Sequence, residues 1–130
     1  MKQWDKRFGG TDYDYLRSVQ QTSDHGYILG GVSKSDSSGD KTQTNRGLED
    51  IWVIKLDSVG NKVWNKRYGG ALYDGTYQIA RYPDGGYIIN GSSNSNTGGD
   101  KSENRRGIFD YWIVRIDLAG NKIWDKTLGG

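Results

Sequence analysis

One phrase recurs three times along the chain: "QWDKRFGG" ends at Gly10, "VWNKRYGG" at Gly70 and "IWDKTLGG" at Gly130. The copies stand about 60 residues apart, a period in the range of propeller blades and solenoid units. The sequence between them is doubled as well. Laid over 71–130 without a gap, residues 11–70 agree at about 24 of 60 positions, among them Tyr13/Tyr73, Asp14/Asp74, Tyr27/Tyr87, Trp52/Trp112, Asp57/Asp117 and Trp64/Trp124. Two such copies must share one fold. The chain therefore divides into a closing segment at 1–10, one unit at 11–70 and a second at 71–130. Opening part-way through a unit is also what an excerpt of a longer repeat protein would do.

Each unit reads as four short strands. Gly is frequent (20 residues), Pro occurs once, and the aromatics are mostly Tyr and Trp, with no helix-period apolar stripe of useful length. The first strand is predicted at 16–22 ("LRSVQQT") or 76–82 ("TYQIARY"), ending at the turns "SDHG" and "PDGG". "GYILGGVS" or "GYIINGSS" supplies the second. A polar connection follows, long for a hairpin. The most apolar strand, "IWVIKLD" or "YWIVRID", then leads through "SVGN" or "LAGN" to the closing strand "KVWNKRY" or "KIWDKTL".

Alternation puts Trp52, Ile54 and Leu56 on one face of the third strand and Ile51, Val53 and Lys55 on the other. Both faces are mostly apolar. A two-layer sandwich would leave one face polar, whereas a propeller blade is covered on both sides. The closing strand, with Lys62, Asn65, Lys66 and Arg67 around Trp64, suits an outer edge where charge discourages strand-to-strand aggregation. The expected fold is all-β, two four-stranded β-propeller blades per chain. Propellers close with roughly four to eight blades. Two blades alone leave large apolar faces open, so closure is expected through homo-oligomerisation, as a trimer or a tetramer.

"DIWVIKLDSVGNKVWNKRYGG", together with the "DGGYI" segment, resembles bacterial β-propeller repeats of the SBBP type. "LDSVGNKVW" is similar to the tryptophan-docking segment of quinoprotein propeller blades, although that motif's Thr-Gly is here Val59-Gly60 or Ala119-Gly120. The polar loop before Trp52 also exceeds the usual repeat. The resemblance implies a blade and an extracellular or cell-surface setting, and it brings neither an activity nor a cofactor.

The chemistry-bearing residues are few. His25 is the single histidine and falls at a turn where the second unit has Gly85, so no Ser-His-Asp constellation can be built twice. No Gly-rich phosphate loop precedes a helix. The chain reads as a non-enzyme. Without Cys there is neither a disulfide framework nor a thiolate metal site. A net charge of +2, from 18 basic and 16 acidic residues, speaks against nucleic-acid binding, and no apolar run has the length of a signal-peptide core or a membrane span.

Asp40, Asp50, Asp100 and Asp110 invite a calcium reading, yet they lack the dense D-x-D-x-D spacing of such loops. Carboxylates bracing the loop through backbone N–H groups, with Arg46 and Arg106 as ion-pair partners, are the expected alternative. The same loop is where a glycan site would lie, with Trp or Tyr beside Asp, Asn and Arg. A non-catalytic structural or protein-binding module is the leading expectation, and a multivalent lectin with one site per unit is the second.

Trp4, Trp64 and Trp124, one in each closing phrase, are expected to dock a blade against its neighbour, and Trp64 and Trp124 to be buried against an adjacent strand or blade. Three closing phrases (2–8, 62–68 and 122–128) serve only two units. The first and last are therefore expected to compete for one edge, within a chain or between chains.

Overall fold

The computed structural model describes residues 4–83 and 85–130. Its elements are eight strands: β1 (Asp14–Gln21), β2 (Tyr27–Ser33), β3 (Asp50–Leu56), β4 (Lys62–Tyr68), β5 (Asp74–Arg81), β6 (Tyr87–Ser93), β7 (Asp110–Ile116) and β8 (Lys122–Leu128). The described residues include no helix. The strands form two four-stranded antiparallel sheets, β1-β2-β3-β4 and β5-β6-β7-β8, each a meander in sequence order. The architecture is thus all-β, with two blade-like units.

Local chemistry explains the corners. In the β3–β4 turn the Asp57 carboxylate accepts the N–H groups of Val59 (3.0 Å) and Asn61 (2.8 Å), while Gly60 takes a left-handed φ of 89°. The Asp117 turn repeats this with Ala119 and Asn121, and Gly120 at 85°. These backbone donors hold both aspartates below the usual carboxylate range. His25 sits in the β1–β2 turn at a φ of 66°, where the second unit has Gly85 at 100°.

The first strand of each unit begins two residues earlier than predicted, at Asp14 and Asp74. The reason is polar. Asp14 accepts hydrogen bonds from Ser33 (2.6 Å), Ser35 and the Gly10 N–H (2.9 Å), which zips the acid into the ladder opposite Ser33. Asp74 does the same with Ser93, Ser95 and the Gly70 N–H.

β3 is buried along its whole length, and its two faces serve two different layers. Ile51 and Val53 join Ile28 and Tyr68 in the core between the sheets, against Ile79, Tyr87, Ile89, Trp112, Val114 and Ile116 of the second unit. Trp52, Ile54 and Leu56 point the other way and form a smaller cluster with Phe8, Tyr27 and Leu29. Trp52 and Trp112 are core residues whose indole N–H groups are satisfied by Asn65 (3.1 Å) and Asp125 (3.0 Å) of the adjoining closing strand.

Candidate functional site

The seam between the two sheets is built largely by the closing phrase of the first unit. β4 turns Trp64, Lys66 and Tyr68 to one face, and all three reach the second unit. The Trp64 ring lies over Gly120, so close that a Cβ there would stand 2.9 Å from the ring; only glycine fits, on space as well as on φ. Lys66 donates to Asn121 (3.2 Å), and the buried Tyr68 hydroxyl donates to the Gly120 carbonyl. Burial pushes that phenol well above its ordinary range.

The phrase then ends in a clasp. Gly69 gives its N–H to the Asp100 carboxylate (3.1 Å) and takes the Asp100 N–H on its carbonyl (2.9 Å). Arg46 meets the same carboxylate at 2.9 Å from the first unit's loop. Beside it, Glu49 and Tyr73 form an isolated parallel bridge between the units.

Residues 4–10 repeat this arrangement one unit upstream. Trp4 places the same edge of its ring over Gly60 (3.0 Å to a Cβ built there) and meets Tyr27 edge-on. Gly9 exchanges the same pair of hydrogen bonds with Asp40, both at 2.9 Å. The described part of the first phrase forms no strand, and β7 is paired with its own β8. Residues 2 and 3 lie outside the described region. The first phrase thus sits where a preceding unit's closing strand would sit, without the other three strands.

Two faces consequently stay open. Upstream, a groove of about 570 Å³ is lined by Trp4, Phe8, Val19, Leu29, Trp52 and Ile54 among others. Downstream, β7 and β8 present Tyr111, Trp124 and Leu128 to solvent. Three of the exposed positions have a buried counterpart 60 residues away. Val19 is 56% exposed against 1% for Ile79, Tyr111 72% against 0% for Ile51, and Leu128 50% against 3% for Tyr68. The expectation that Trp124 is buried fails within the single chain: it is exposed, whereas Trp64 is half-buried, because Trp64 lies over the Gly120 turn of the second unit.

The loop acids and arginines fall into two equivalent loops. Asp50 and Asp110 each accept the backbone N–H of Arg46 or Arg106, and Asp110 also that of Gly107 (3.0 Å). Asp40 and Asp100 hold Gly9 and Gly69 as described. Arg46 reaches Asp100, whereas the Arg106 side chain has no ion pair among the described residues. All four carboxylates thus take up N–H donors from the chain itself. The described residues contain no group of three or more His, Cys, Asp or Glu side chains arranged to hold a metal ion.

Sequence reasoning missed the lysines under these loops. Lys41 is almost fully buried, its ammonium donating to the Ser35 carbonyl and to Asn45. Lys101 donates to the Glu103 carbonyl (2.6 Å) and to the Thr127 hydroxyl (2.8 Å). Burial pulls both below the usual lysine range. The doubled "GDK" at 39–41 and 99–101 was the available signal. No protein-family model matches the chain, and no curated protein matches it either.

Proposed function

We propose that the chain is a non-catalytic propeller-type scaffold that closes into a ring with further copies of itself, three or four per ring. Its loops would serve structural or protein-binding contacts on the rim, in the extracellular or cell-surface setting that the SBBP-type resemblance implies. One observation carries the reading: the open faces are the 60-residue counterparts of the two faces that already pack together inside the chain.

Side-chain sizes support the same pairing. Inside the chain, Gly30 makes room for Ile79, and Val32 approaches Gly75. Shifted by one unit, the facing pairs become Asn90 with Val19 and Ser92 with Tyr15. In the first pair Asn90 adds what Val19 gives up, and in the second the larger partner changes sides, so each pair keeps much of its combined bulk, which close packing requires. Charge follows the pattern too. Arg106 would meet Asp40 of the next copy as Arg46 meets Asp100. Such a contact is head-to-tail, and head-to-tail contacts close into rings when the rotation per step divides a full turn.

A lectin reading finds less support, because the carboxylates it would need are engaged with backbone N–H groups. Light scattering at micromolar concentration tests the proposal. A single species of three or four times 14.6 kDa is expected. A persistent 14.6 kDa monomer would refute ring assembly.

A further inference from the structure

The Gly60 turn is a seat with two claimants. Trp4 of the same chain fills it, yet Trp124 is the residue whose equivalent, Trp64, fills the matching seat at Gly120. We infer that the seat is a docking site for the closing strand of a second copy, and that residues 4–8 are an internal plug which the incoming Trp124 displaces. This rests on the ring assembly proposed above and assigns its gate.

The alternative is that the first phrase stays seated and adds to β7 of the other copy in place of β8. The second unit's interior argues against that exchange. β8 places Thr127 beside the buried Lys101 ammonium, which donates to its hydroxyl at 2.8 Å. The first phrase carries Arg7 at the equivalent position, so the swap would take this acceptor from Lys101; the first unit tolerates Arg67 there because Lys41 donates to Asn45 instead, a place that Arg105 fills in the second unit. β8 also brings Asp125, which is bonded to the Trp112 indole, to the Ser102 N–H and to Lys122; the first phrase offers Asp5 at that place, so there the exchange at best restores what it breaks. Lifting β8 also breaks its ladder to β7, whereas residues 4–8 belong to no strand and are lifted without breaking one.

The exchange is confined to the plug. Gly9 and Gly10 remain tied to Asp40 and Asp14, the corner from which the freed segment hangs. Asp40 keeps Gly9 on its carboxylate and can still receive Arg106 of the neighbour, as Asp100 holds Gly69 and Arg46 together. Downstream, Leu128 replaces Tyr68 in the seam and brings no hydroxyl for the Gly60 carbonyl. The junction between copies thus lacks the Tyr68 hydrogen bond of the seam within a chain, and Gly9 already holds the place on Asp40 that Gly69 takes on Asp100, which suits a contact that must be made and unmade.

Sedimentation across a concentration series distinguishes the cases, using the full chain, Trp4→Ala, a chain lacking residues 1–8, and Trp124→Ala. Both tryptophans are partly exposed, so circular dichroism like the parent's is expected throughout. Removing the plug is expected to tighten assembly about tenfold, and Trp124→Ala to weaken it by at least as much, as a central aromatic anchor does. Weakening by Trp4→Ala with no effect of Trp124→Ala would overturn the inference, because the first phrase would then be the donated strand. Equal affinities for all four proteins would overturn it too. A parent that stays monomeric at every concentration would sink the ring reading itself.

Discussion

Asp50 is where a single residue meets the limits of its surroundings. Its Oδ1 is the one buried side-chain polar atom without a hydrogen-bond partner among the described residues, whereas the equivalent oxygen of Asp110 accepts the Gly107 N–H. Burial pushes the Asp50 carboxyl up to about 6, against the pull of the Arg46 N–H. Between about pH 4 and pH 6 the folded chain keeps this proton while the unfolded chain has lost it. This group's contribution therefore falls as pH rises through that window, by on the order of 3 kcal/mol in full. Asp50→Asn carries no such ionisation. Melting temperatures of the two proteins are expected to diverge in the variant's favour from pH 4 to pH 7, and a difference that ignores pH would contradict the assignment. The aspartates were visible in the sequence as loop-bracing groups. Lys41 and Lys101 were not, because a lysine in a polar loop usually keeps its charge in water, and only the folded loop shows the carbonyls that receive it.

At the scale of elements, the strands that follow the Asp–Gly–Asn turns were legible to the residue. β4 and β8 run over the stretches predicted for them, since an Asp–Gly–Asn turn fixes where each begins. β1 and β5 were misplaced by two residues because their first residue is an acid, whose serine partners lie about twenty positions away. The alternation of β3 separated its two faces correctly, and that separation locates both the core and the open groove. What the sequence left level was the three closing phrases, near-identical in wording and set in different surroundings. That difference has a measurable consequence in dilute, unassembled protein. Trp64→Ala removes a ring wedged on Gly120 and is expected to destabilise the chain by about 3 kcal/mol, the lower end of the range for a buried tryptophan. Trp124→Ala is expected to cost no more than about 0.5 kcal/mol, as at other surface positions. Urea midpoints of the two variants check the contrast, and similar losses would mean that Trp124 is buried without a second copy.

For the whole molecule, the two sheets show how one unit sits on the next. Repeating that step is the content of the assembly proposal. The number of units per turn depends on a rotation that neither composition nor motif spacing encodes, which is why three and four chains both stand. The contact itself can be tested without knowing the number. Glu49 and Tyr73 pair across the seam, and parallel bridge partners lie about 4.8 Å apart, within disulfide reach. Under the assembly proposal the same bridge, one unit further on, would join Phe109 of one copy to Tyr13 of the next, both exposed in the single chain. The chain has no cysteine of its own. Oxidising a Tyr13→Cys/Phe109→Cys variant and measuring mass under denaturing conditions should give a covalent ladder ending at one closed species, with every link joining position 109 to position 13. A variant that stays monomeric, or that links 13 to 13 and 109 to 109, would contradict head-to-tail assembly.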